Sequence, residues 1–125
     1  MEILENGIEA FKSGNYTQAI RLLEPLAEQE NAEAQCILGS IYHLGLGVEI
    51  DGDKAVKLYQ KSAHNGHAIA SNNLAGIYFM GECGITKSYK AALEWCQLSQ
   101  KQGFEDSKYL EAYIKEKLNG NVRLD

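Results

Sequence analysis

Residues 34–66, AQCILGSIYHLGLGVEIDGDKAVKLYQKSAHNG, decide the fold because their pattern returns at residues 70–103, ASNNLAGIYFMGECGITKSYKAALEWCQLSQKQG. Positions up to the first loop glycine match at a spacing of 36 residues and later positions at 37, so one inserted residue reconciles both stretches. The matching pairs are Ala34/Ala70, Leu38/Leu74, Tyr42/Tyr78, Gly45/Gly81, Gly47/Gly84, Val48/Ile85, Ala55/Ala92, Leu58/Trp95, Tyr59/Cys96, Ser62/Ser99 and Gly66/Gly103. Self-similarity at such a period is the signature of a repeat architecture.

Each repeat is predicted to be a pair of helices. Apolar residues recur at spacings of three and four before the glycine loop and again after it, which is the helical period. Gly45 and Gly47 end the first helix because glycine takes positive φ at little cost. Asp51 is a good N-cap for the second helix, and Asn15 and Ser88 hold the same place in the other units.

The pattern extends over the chain as seven helices, near residues 2–13, 16–30, 32–44, 51–65, 68–81, 88–102 and 105–118. In the first pair a tight turn at Gly14-Asn15-Tyr16 replaces the glycine loop. Pro25 lies inside the second helix and removes one of its hydrogen bonds, so we expect that helix to bend or split near Arg21.

The unit from Ala34 to Gly66 resembles a complete Sel1-like repeat, and residues 70–103 resemble a second one with a longer loop. Residues 7–30 are more similar to a tetratricopeptide-type unit. The resemblance implies an all-α fold, a short right-handed α/α solenoid of about three helix pairs plus a C-terminal capping helix. We expect a single repeat domain over residues 1–118, with units at about 1–31, 32–67 and 68–104, a cap at 105–118 and a flexible tail at 119–125.

The charge of the chain is unevenly distributed. Residues 1–53 have a balance of −8 and residues 54–125 a balance of +3, which together give the net −5. An acidic surface repels nucleic acid and anionic headgroups and attracts basic surfaces. This predicts another protein as the partner, with a basic surface, and neither nucleic acid nor membrane. The open alternative is that the acidic half serves only solubility.

The remaining composition indicates an ordinary cytoplasmic protein. Three cysteines, an odd number without close pairs, favour reduced thiols over a disulfide framework. No apolar run reaches the ~20 residues of a membrane helix, and the acidic start lacks the apolar stretch of a signal peptide. We expect no cofactor and no metal site.

Partner binding is expected on one face of the first helices. In solenoids of the tetratricopeptide-like superfamily, as the resemblance implies, the first helix of each pair lines a concave surface. Helical phase places ten candidates there: Leu4, Ile8, Phe11, Glu33, Ser40, His43, Leu44, Asn72, Phe79 and Met80. The alternative is a phase error of one position, which rotates a helical face by roughly 100° and makes the apolar candidates core residues.

The predicted function is a non-catalytic protein–protein interaction module, acting as a scaffold or adaptor. The alternative is an antitoxin-like immunity protein that neutralises a basic cytoplasmic toxin by direct binding. An enzyme is a distant third, because catalysis needs paired groups in a closed pocket and none of the histidines has an evident partner in the sequence.

Overall fold

The computed structural model describes the backbone of residues 2–123 and the side chains of residues 2–120. Within that range it contains seven helices and no strand, as the repeat pattern predicts. They are α1 (Glu2–Lys12), α2 (Tyr16–Glu28), α3 (Ala32–Leu44), α4 (Gly52–His64), α5 (Ala68–Met80), α6 (Tyr89–Lys101) and α7 (Ser107–Arg123).

The last helix runs further than its apolar pattern indicates. We expected it to end at residue 118, followed by a flexible tail, but α7 continues to Arg123. Neither proline nor a positive-φ glycine interrupts residues 119–123, so nothing in this stretch forces the helix to end. The predicted end of the last helix is therefore five residues too early, whereas the flexibility of the tail stays a prediction. Residues 124 and 125 lie outside the described part of the chain.

The described residues form two compact units, one ending at His67 and the other beginning at Ala68. In the first unit α1 packs on α2, α2 on α3 and α3 on α4, and in the second α5 packs on α6 and α6 on α7. The first core consists of Ala10, Ala19, Leu23, Ala27, Ala34, Leu38 and Ile41. The second consists of Ala75, Ala92, Cys96 and Ile114. Small residues prevail in both cores, which lets neighbouring helices approach closely.

The three predicted N-caps are confirmed. The side-chain oxygens of Asn15, Asp51 and Ser88 accept hydrogen bonds from the backbone N–H three residues later, at 3.3, 3.0 and 3.1 Å. Each cap satisfies a donor that the first turn of a helix leaves free. Gly45 caps the other end of α3 with φ of 68°, a left-handed conformation that favours glycine.

Of the two expected outcomes for α2, a bend or a split near Arg21, the split does not occur. The helix runs continuously from Tyr16 to Glu28 and includes Pro25 in its last turn. Ala19, Leu23 and Ala27 are buried on both sides of the proline, so packing holds the helix together although one backbone hydrogen bond is missing.

Repeated serines join the two helices of each pair. Ser62 donates to the carbonyl oxygen of Ala32, and Ser99 donates to that of Ala68, both at 2.7 Å. These bonds tie the end of the second helix to the start of the first. All four groups are repeat equivalents, which explains why a serine returns at this position in both repeats.

A second repeated contact involves a small residue opposite a larger one. In the first unit a Cβ added to Gly39 would lie 2.8 Å from the ring of Tyr59, so only glycine fits there. The equivalent positions in the second unit are Ala75 and Cys96, both fully buried in one core. In the second unit alanine thus replaces the smaller glycine, and cysteine replaces the larger tyrosine.

The attachment of α7 is predicted to depend on pH through Glu111. This carboxylate accepts hydrogen bonds from Gln100 at 2.7 Å and Gln97 at 3.1 Å and pairs with Lys115 at 3.1 Å. The bond from Gln100, then those from Gln97 and Lys115, lower the pKa of Glu111 to about 2. A carboxyl with a depressed pKa stabilises the fold above its unfolded pKa, near 4.5, and loses that contribution as the pH falls towards 2.

Glu111→Gln is therefore expected to lower the free energy of unfolding by on the order of 1 kcal/mol at pH 7. The difference from the wild type should shrink between pH 5 and pH 2, which urea denaturation followed by circular dichroism can measure. Glu116→Gln, an exposed change on the same helix, is the control and should have no such effect. If the difference in the free energy of unfolding between the two proteins stayed constant with pH, the charge of Glu111 would not be its cause.

Candidate functional site

Two of the predicted apolar contact residues lie mainly in solvent. Leu44 and Met80 are the last residues of α3 and α5, hold equivalent positions in their repeats, and are 58% and 60% exposed. Ile50 is 59% exposed and lies against Gly45, the neighbour of Leu44, because a Cβ on that glycine would come within 2.7 Å of it. Glu33, at the other end of α3, is also exposed.

The aromatic candidates are packed rather than free. Phe11 and Phe79 are half-buried against the first and second cores. Their ring centroids lie 6.0 Å from Tyr16 and 5.6 Å from Tyr89, each near the start of the following helix. These two rings therefore face the cores, as the alternative helical phase predicts, and do not form an open surface. Among the other apolar candidates, Leu4 and Ile8 are also half-buried.

Three of the four polar candidates contact other parts of their own unit. Ser40 Oγ lies 2.9 Å and His43 Nδ1 lies 3.2 Å from the hydroxyl of Tyr59 on α4. Asn72 accepts a hydrogen bond from Ser107 Oγ at 2.6 Å. These contacts assign the three side chains to helix packing, a role that periodicity alone did not reveal.

A groove that the sequence did not indicate lies in the first unit, between α2 and α4 and over α3. Its space is about 230 Å³. Ala27, Leu38, Tyr42 and Leu58 supply apolar and aromatic lining, whereas Glu24 and Glu28 come from α2 and Lys54 and Lys61 from α4. The only signal in the sequence is that each charged pair shares one helical face, at spacings of four and seven residues.

The buried cysteines are poor nucleophiles. Burial, followed by the charge of Glu33, raises the pKa of Cys36 to about 12. Burial, followed by the charge of Glu111, raises the pKa of Cys96 to about 11. Both are therefore thiols at neutral pH, and the thiolate is the reactive form. All three cysteines are free of disulfides, as the odd count predicted.

Residues 2–123 offer no cluster of three or more His, Cys, Asp or Glu side chains that could hold a metal ion. Within the same range, none of the helices combines the length and apolar character that crossing a membrane requires.

Comparison with known proteins identifies the repeat. The model of the family described as Sel1 repeat matches residues 2–31, 32–67 and 68–104. The first match corrects the expectation that the N-terminal unit is of tetratricopeptide type. Although this unit has no glycine loop, Asn15 and Ala19 hold the places of Asp51 and Ala55 in the next repeat.

Among curated proteins, the Sel1-repeat-containing protein YjcO of Escherichia coli K12 is 39% identical over 97 residues, covering 73% of this chain and 42% of the relative. Human protein sel-1 homolog 2 is 30% identical over 99 residues, covering 71% of this chain and 14% of the relative. The chain thus spans less than half the length of these curated relatives.

Two solved structures share the fold. A Sel1 repeat protein from Oxalobacter formigenes superposes with a TM-score of 0.80 at 32% identity, covering 91% of this chain and 45% of that one. The antigen c5321 of uropathogenic E. coli, described as displaying an SLR fold, superposes with a TM-score of 0.85 at 30% identity, covering 93% of this chain and 26% of its own.

Proposed function

Because the chain belongs to the Sel1 repeat family, whose members are generally protein–protein interaction modules, we propose that it binds a partner protein and catalyses no reaction. The observation that carries this proposal is the exposure of Leu44 and Met80. Two large apolar side chains stand mainly in solvent at equivalent positions of successive repeats. Exposed apolar side chains are favourable anchors when a partner removes them from water.

A basic surface on the partner is supported by the charges of the first unit. All ten acidic side chains among the first 53 residues are exposed, so none is neutralised by burial. The whole unit, residues 1–67, has ten acidic and five basic residues. Such a field speeds the encounter with a basic protein and weakens as salt is added.

Neutralisation of a basic toxin is a more specific form of the same proposal. It uses the same exposed acidic side chains and also needs no catalytic group. Co-expression with a toxin encoded next to this chain would distinguish it from a general adaptor role, because only an immunity protein restores growth.

The contacts of His43 and the protonation of two cysteines support the proposal that the protein is not a catalyst. His43 is held by the Tyr59 hydroxyl, and the raised pKa values of Cys36 and Cys96 keep those thiols protonated. A nucleophile needs an adjacent base or a lowered pKa to act.

Capture from a lysate of the source cells tests the proposal. We expect the immobilised protein to retain a partner with an isoelectric point above 7, and a Leu44→Lys/Met80→Lys variant to recover about fivefold to tenfold less of it. Tyr113→Lys, a change at a tyrosine that is 63% exposed on α7, is the control and should recover the wild-type amount. Equal recovery by all three proteins would exclude Leu44 and Met80 as anchors.

A further inference from the structure

We infer that the groove between α2 and α4 binds a segment of the partner in which an apolar side chain is flanked by a basic and an acidic side chain, an inference that rests on the proposed protein-binding function. The groove belongs entirely to the first unit, so its shape is defined by α2, α3 and α4 alone. Leu44 is not among its lining residues.

The apolar lining of the groove indicates which kind of side chain would lie at the centre of this segment. Ala27 and Leu38 are buried at the bottom, and Tyr42 and Leu58 are half-exposed above them. A cavity of about 230 Å³ with such a lining accommodates one large aliphatic or aromatic side chain. Burying it would remove apolar surface from water on both partners, which is the favourable term in most protein association.

The charged side chains on the two walls of the groove, α2 and α4, indicate which charges would flank that side chain. Glu24 and Glu28 lie one helical turn apart on α2, and like charges at this spacing destabilise an isolated helix. On α4, Lys54 and Lys61 lie seven residues apart, or about 10 Å along the helix axis. No ion pair joins the two walls in the described part of the chain. An occupant with one cation and one anion would therefore offset one charge on each wall.

Tyr42 holds one of these charges at the groove. The Lys54 ammonium lies 4.3 Å from the centre of the Tyr42 ring, within the distance of a cation–π contact. The contact restrains a side chain that is otherwise flexible, so less conformational entropy is lost when it meets an acidic group. Lys57, on the same helix, does not line the groove and provides a matched control.

Three short peptides test the inference: acetyl-Lys-Ala-Leu-Ala-Glu-amide, the reversed-charge acetyl-Glu-Ala-Leu-Ala-Lys-amide, and the neutral acetyl-Gln-Ala-Leu-Ala-Gln-amide. Alternate side chains of an extended peptide share a face, so leucine and both flanking groups can point into the groove together. Titration of the ¹⁵N-labelled protein should shift the amide resonances of Leu38, Tyr42 and Leu58. We expect one charged order to bind about threefold to tenfold more tightly than the neutral peptide.

A variant in which the charges of the two walls are exchanged provides the decisive test. In the variant Glu24→Lys/Glu28→Lys/Lys54→Glu/Lys61→Glu the preferred peptide order should reverse, whereas Lys57→Glu should leave the preference unchanged. Equal binding of the three peptides, or an unchanged order in the exchanged variant, would overturn the inference. Because the capture experiment depends on Leu44 and Met80, partner capture combined with failure of the peptides would reject the groove and leave the proposed function standing.

Discussion

Tyr59→Ala is expected to lower the free energy of unfolding by about 3–5 kcal/mol, as large-to-small changes in a core do. The side chain is only 1% exposed, its ring fills the space left by Gly39, and its hydroxyl contacts Ser40 and His43. Alanine would leave a cavity and would also remove one hydrogen-bond contact from each of two half-buried polar side chains. Since domains are stable by only about 5–15 kcal/mol, the variant should unfold at much lower urea concentration than the wild type.

Two further variants separate the causes of this loss. Tyr59→Phe keeps the ring and removes only the hydroxyl, so we expect a loss of about 1 kcal/mol. Tyr113→Ala removes an exposed tyrosine and should change stability by less than about 0.5 kcal/mol. Urea denaturation followed by circular dichroism measures all three. If Tyr59→Ala were as mild as Tyr113→Ala, the packing described for the first unit would be wrong.

Local chemistry explains why the helices could be predicted from the sequence. The caps at Asn15, Asp51 and Ser88 and the glycine at position 45 act on their nearest neighbours along the chain, so their effects can be read from consecutive residues. The repeat spacing then extended these boundaries to the whole chain. Pro25 shows the limit of such reasoning, because it does not split α2, a helix in which Leu23 and Ala27 are buried on either side of the proline.

The candidate site was harder to predict because exposure depends on neighbouring helices. Helical phase placed Leu44 and Phe79 on the same kind of face, yet Phe79 contacts Tyr89 and Leu44 remains in solvent. Likewise, nothing in the spacing of Ser40 and His43 indicated that both meet Tyr59 across the helix pair. The groove requires side chains from three helices, and an alignment of repeats compares equivalent positions without revealing which residues face each other.

The facing pairs Gly39/Tyr59 and Ala75/Cys96 lead to a prediction that contrasts the two units. Gly39→Ala should destabilise the protein by about 1–3 kcal/mol, because the new methyl group would lie 2.8 Å from the ring of Tyr59, which is only 1% exposed. Gly76→Ala is the matched control in the interior of α5, where an added Cβ meets no atom within 4 Å. There the higher helix propensity of alanine should stabilise the protein by about 0.5–1 kcal/mol.

Tyr59→Cys combined with Gly39→Ala converts the first pair into the second, and with cysteine at position 59 the added methyl group should no longer be destabilising. Although Tyr59→Cys is itself destabilising, adding Gly39→Ala to it should cost nothing or recover up to about 1 kcal/mol, because the ring that opposed the methyl group is gone. The double-mutant cycle would then give a coupling energy of about 1–4 kcal/mol between positions 39 and 59. If Gly39→Ala cost the same with tyrosine and with cysteine at position 59, the glycine would be required for some reason other than the ring. The alanine–cysteine pair of the second unit would then have no bearing on the size of residue 39.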